Sequence, residues 1–110
     1  MTDTPESRRV TIASPEGLHI RAAALFAGLA NRFHSSIHVV RGNQRVDGKS
    51  ILDLLTLGAE QGVELILQAQ GDDASAALDA LENFIDNSFV EPPDHRKPAS
   101  GQPPVGGQDV

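Results

Sequence analysis

At 110 residues, the chain has room for one domain, and its lack of cysteine excludes disulfides, thiolate metal sites and a cysteine nucleophile. A net charge of −6 opposes binding to nucleic-acid backbones, and the few aromatics, all phenylalanine, make no stacking platform for bases or sugars. No apolar run approaches a membrane span or a signal segment, so a cytoplasmic protein without membrane attachment is expected.

In chain order, residues 1–7 are polar and acidic and are expected to be disordered, and the domain is expected over residues 8–90. Arg9 to Ala13 alternates, with Val10 and Ile12 on one face of a half-buried strand, and Ser14-Pro15-Glu16-Gly17 breaks it. From Ile20 to Phe33 the period changes. Phe26, Leu29, Ala30 and Phe33 share one helical stripe, and Gly28 is a mild cost that suggests close packing. Ile37 to Arg41 alternates again. Gly42-Asn43 marks a two-residue hairpin, and Gln44 to Asp47 returns antiparallel. A short helix follows, with Ser50 and Asp53 spaced as a capping box and Gly58 as its left-handed end.

A fourth strand runs from Val63 to Gln70, with Val63, Leu65, Leu67 and Ala69 on one face. Gly71-Asp72-Asp73 reads as the cap of a last helix whose stripe is Ala77, Leu78, Leu81, Phe84 and Ile85. The order β-α-β-β-α-β-α gives an α+β fold, with three helices on one face of a four-stranded antiparallel sheet. Residues 91–110 lose all periodicity and are rich in Pro and Gly, the composition of a disordered tail.

The chemistry centres on His19, set between a Gly-bearing turn and a helix start. A helix start offers unpaired N–H groups and a positive dipole end, so an imidazole there can accept and hold a phosphoryl group. A plain surface histidine is the bland alternative. Arg21, two residues on, opposes the helix dipole, and a transient anion would compensate it through a forked donor set. Ser50 reads first as an N-cap; a regulatory phosphate there would suit the helix and repel acidic partners. The short helix after Ser50 carries more aliphatics than one face can bury, so Leu52 and Leu55 are expected to be exposed. With Ile20, Ala24 and Ile51 they form the expected partner contact. No metal or cofactor is implied, because His34 and His38 straddle a strand boundary without a carboxylate pair.

The chain resembles HPr, the histidine-containing phosphocarrier of the bacterial phosphoenolpyruvate-dependent sugar phosphotransferase system. The resemblance runs from about Arg9 to Phe89, and the element order matches the family's open-faced β-sandwich. It rests on Gly17-Leu18-His19-Ile20-Arg21, Gly48-Lys49-Ser50-Ile51, Thr56-Leu57-Gly58 with Gln61-Gly62, and Gly71-Asp72-Asp73. It implies that His19 takes a phosphoryl group at Nδ1 from enzyme I and donates it to a IIA-type acceptor, with Arg21 steadying the group. It also implies that Ser50 matches the serine modified by an HPr kinase/phosphorylase, and that the carrier is a monomer and not an enzyme. Two positions depart from the family: Ala22 stands where a proline usually follows the arginine, and Ile20 where a small residue is usual. Ala22 keeps the helix but restores an N–H that proline lacks.

Two other readings compete. One is an HPr-like binding module governed by Ser50 phosphorylation, with little role in sugar transport. The other is a small hydrolase pairing His19 with Lys49, disfavoured because no spacing ties a second titratable group to His19.

Overall fold

A computed structural model describes residues 5–90; the tail expected over residues 91–110 lies outside the described residues. Four strands, β1 (Glu6–Thr11), β2 (Ser36–Arg41), β3 (Gln44–Asp47) and β4 (Glu64–Gln70), form one antiparallel sheet in the order β1-β4-β2-β3. Three helices, α1 (Ile20–Ala30), α2 (Ile51–Thr56) and α3 (Ala74–Asp86), cover one face. This is the α+β fold expected from the element order, arranged as the open-faced sandwich that the resemblance implies. None of these helices is long and apolar enough to cross a membrane.

β4 enters last and fills the gap between β1 and β2, pairing Val10 with Leu65 on one side and Val39 with Leu67 on the other. Its alternation places Leu65, Leu67 and Ala69 in the core. The strand ladder also starts earlier than the composition suggests. Glu6 and Ser7 pair with Ala69 and Gln68, so the N-terminal segment expected to be disordered contributes two residues to the sheet. Their polarity misleads, because an edge strand can carry polar and charged residues where one of its sides faces solvent.

α1 buries Ala22, Ala23, Phe26, Ala27, Leu29 and Ala30, a helical stripe of mostly small residues. It ends three residues before Phe33. The Asn31 side chain donates to the Ala27 carbonyl at 2.8 Å and to the Lys49 carbonyl at 3.2 Å, tying the helix end to the segment before α2. Arg32 and Phe33 then turn back with bonds to the third residue before them, and Phe33 packs half-buried against the core from outside the helix. Gly28 faces solvent with nothing within 4 Å of a built Cβ, so it serves no close packing.

The cap of α2 differs in one bond from the expected box. Ser50 Oγ accepts from the Asp53 N–H at 3.2 Å, but the Asp53 carboxylate reaches past the cap to the Asp47 N–H at 3.2 Å. Gly58 takes the left-handed conformation expected of it. The cap of α3 is a clearer correction. Asp73 occupies the N-cap but makes no side-chain bond to its own helix. Its carboxylate instead accepts from the backbone of His34 and Ser35 and from the Ser35 hydroxyl, joining the loop after α1 to the start of α3. These donors hold the Asp73 carboxyl below its ordinary value of 3.8, at about 2, with the Ser35 hydroxyl the largest cause.

Candidate functional site

The site begins in the turn after β1. Gly17 donates to the Ser14 carbonyl at 3.0 Å, and the buried Ser14 Oγ accepts from the Glu16 N–H at 3.3 Å. Gly17 has φ +69°, and a Cβ there would lie 2.7 Å from the Ala59 carbonyl oxygen. Only glycine meets both demands. The next N–H, of Leu18, donates to the same Ala59 oxygen at 2.8 Å, so the loop carrying His19 is pinned to the segment before β4.

His19 is the N-cap of α1, with extended backbone. Its ring is held on three sides. Nδ1 accepts from the Ala22 N–H at 3.3 Å, an orphan donor of the first helical turn. Nε2 lies 3.2 Å from Glu16 Oε1. The Phe89 ring meets it edge-on, with centroids 6.4 Å apart and planes at 82°. The His19 side chain is still 35% exposed, so a partner can reach it.

Arg21 extends from the first turn and lines the same open depression of about 200 Å³ as His19, Ala22 and Ser88. Among the described residues it is the one cation with neither a hydrogen bond nor an ion pair. The sequence places the pair on one helix turn, and the structure brings both side chains to one depression. Lys49, the proposed hydrolytic partner, lies outside it, and its Nζ donates to the Phe33 carbonyl at 2.8 Å.

Ser50 is half-buried at the start of α2 and is not part of the His19 depression. α2 packs against α1. The aliphatics split as follows. Ile20 is 70% and Leu52 76% exposed, Ile51 is 39% exposed, and Ala24 also faces solvent. Leu55 corrects the expectation: it is half-buried and packs against the core, because the last turn of α2 leans toward the buried Leu54 and Leu57.

Glu16 and Phe89 are contacts of the imidazole that sequence reasoning assigned no role. Glu16 sits three residues before His19, a spacing open to inspection. Phe89 comes from the other end of the chain, beyond any local pattern. It is reached through left-handed backbone at Ser88 (φ 56°) and Phe89 (φ 68°), conformations uncommon outside glycine.

An open-faced α+β sandwich whose first helix is capped by a reachable imidazole defines the class of small phosphocarrier domains. The family profile described as the PTS HPr component phosphorylation site matches residues 6–87, and the chain belongs to this family. It is 43% identical over 86 residues to phosphocarrier protein HPr of Pseudomonas putida, spanning 77% of this chain and 96% of that protein. It is 41% identical over 88 residues to phosphocarrier protein NPr of Shewanella violacea, spanning 80% and 97%. A crystal structure of HPr from Thermoanaerobacter tengcongensis superposes with a TM-score of 0.75 at 39% identity, covering 80% of this chain and 99% of that one.

Proposed function

We propose that the chain is a stoichiometric phosphoryl carrier of a phosphoenolpyruvate-dependent phosphotransferase system, acting as a cytoplasmic monomer. His19 accepts the group on Nδ1 from enzyme I and surrenders it to a IIA-type acceptor. The observation that carries this reading is the pairing of Nδ1, presented at a helix start, with a guanidinium that has no partner among the described residues. As the N–P bond forms, the incoming oxygens meet the Ala22 N–H and the Arg21 fork, donors that are stronger toward an anion than toward a neutral acceptor. An open depression suits a carrier, since both donor and acceptor proteins must approach the same ring. Ile20, Ala24, Ile51 and Leu52 form the contact surface for those partners, with Leu55 supporting it from beneath. Ser50 is the regulatory hydroxyl, where a phosphate from an HPr kinase/phosphorylase would meet the N-terminus of α2.

The test is incubation with phosphoenolpyruvate and enzyme I, followed by intact-mass analysis. An acid-labile, base-stable gain of one phosphoryl group on the wild type, absent from His19→Ala, is expected. No gain on the wild type, or equal gain on the variant, would end the reading.

A further inference from the structure

We propose that Glu16 is a positioning residue for phosphoryl transfer: its carboxylate takes the Nε2–H of His19, selects the tautomer that bares Nδ1, and neutralises the ring when Nδ1 is loaded. The proposal rests on the carrier reading above.

The two ring nitrogens of His19 face different partners. Glu16 Oε1 lies at ion-pair distance from Nε2, 3.2 Å, where its negative charge opposes a bare lone pair and favours a proton on Nε2. A backbone N–H only donates, so the Ala22 contact at 3.3 Å requires a bare lone pair on Nδ1. Glu16 alone is compatible with a doubly protonated ring, and Ala22 alone leaves the state of Nε2 open. Together they favour one of the three protonation states, the neutral Nε2–H tautomer. That is the form with its nucleophilic lone pair at the helix start.

Local geometry makes the contact a built one. The turn Ser14–Gly17 brings Glu16 back over the ring three residues later, and the Glu16 backbone is tied to Ser14 Oγ. Among the described residues the Glu16 carboxylate has no other partner. The other charged side chain lining the depression is Arg21 on α1; Glu60 approaches Gly17 through its backbone. Among the described residues, the segment after α3 lines the depression with Ser88, Phe89 and Val90, all uncharged.

The carboxylate then serves both half-reactions. On loading, the Nδ1 lone pair forms the N–P bond while the donor–phosphorus bond breaks and its electron pair leaves with the donor. The Nε2 proton stays in place, so the ring becomes cationic beside Glu16. On unloading, the N–P electron pair returns to Nδ1 as the acceptor bonds phosphorus, and the ring is again neutral with no proton transfer required. A carboxylate that stabilises the cationic ring keeps the loaded imidazole a good leaving group at neutral pH.

The experiment uses the full chain. Histidine tautomers are read by long-range 1H–15N correlation at about pH 8.5, above the ordinary imidazole range. The phosphohistidine, loaded by phosphoramidate or by enzyme I, is followed by 31P NMR as it hydrolyses across pH. Wild type and Glu16→Gln should both show the Nε2–H form, because an amide oxygen also accepts, whereas Glu16→Ala should show a mixture. Glu16→Gln should move the hydrolysis profile to lower pH and slow release at neutral pH by about two- to fivefold, the scale of a part-exposed ion pair. Glu16→Asp should recover part of it. Labelling with an unmoved tautomer ratio in Glu16→Ala and an unmoved profile in Glu16→Gln would overturn the role of Glu16 alone. A tautomer shift in Glu16→Ala with no wild-type labelling by enzyme I would overturn the carrier reading and, with it, the role in transfer.

Discussion

A guanidinium in the first turn of a helix works against the fold that carries it. Arg21 sits on the positive end of the α1 dipole, with no acidic residue in the first turn and no ion pair of its own among the described residues. Removing that charge should therefore stabilise the domain while removing the proposed anion clamp. In Arg21→Ala, urea denaturation should show a gain of about 0.3–1 kcal/mol, the magnitude of an exposed charge–dipole term. Phosphoryl transfer from enzyme I should fall about a hundredfold, the scale of losing one prepositioned donor to a developing anion. A variant that lost both stability and transfer would show that Arg21 serves the fold instead. Asp73 is the opposite kind of residue, charged and fully employed. Its folded value, about 2, lies below the ordinary 3.8, so its contribution is complete above pH 3.8 and fades as pH falls toward 2. The urea midpoint of the wild type should drop across that window. Asp73→Asn should be less stable near neutrality and should lose less through the same acid range.

At the scale of elements, α1 carries an avoidable weakness. Gly28 is in mid-helix, exposed, with ordinary helical backbone and open space around it. Gly28→Ala should stabilise the domain by about 0.5–1 kcal/mol, read from the thermal or urea midpoint, with no change in phosphoryl transfer. The strands and the long helices were legible in the sequence because each buries a single face. Leu65, Leu67 and Ala69 alternate, and Phe26, Leu29 and Ala30 follow the helical period. The ends were less legible because tertiary partners set them. Asn31 stops α1 through a carbonyl eighteen positions away, and Asp73 leaves its own helix to bind the loop at His34 and Ser35. The site divides in the same way. His19 and Arg21 share one turn and could be paired from spacing. Glu16 was in plain view but needed the turn geometry to become a partner of the ring. Phe89 needed the whole fold.

Across the whole molecule, the imidazole is the outer end of an aromatic column. Phe26 and Phe84 have ring centroids 6.5 Å apart, Phe84 and Phe89 5.5 Å, and Phe89 and His19 6.4 Å. α1 therefore contributes the inner ring and the outer imidazole, and α3 with its left-handed end supplies the two rings between. Core packing and the orientation of the imidazole are one structure, and two substitutions should separate its parts. Phe84 is fully buried, so Phe84→Ala should destabilise the domain by about 3–5 kcal/mol, a large share of the roughly 5–15 kcal/mol typical of small domains. Phe89 lies at the rim, so Phe89→Leu keeps most of the buried volume and should cost about 1.5 kcal/mol or less in urea denaturation. It removes the flat edge against His19, however, and should broaden the ring's NMR signals and slow transfer while the fold persists. If Phe89→Leu left both the His19 signals and the transfer rate unchanged, the ring would be held by Glu16 and the Ala22 N–H alone, and the column would end at Phe84.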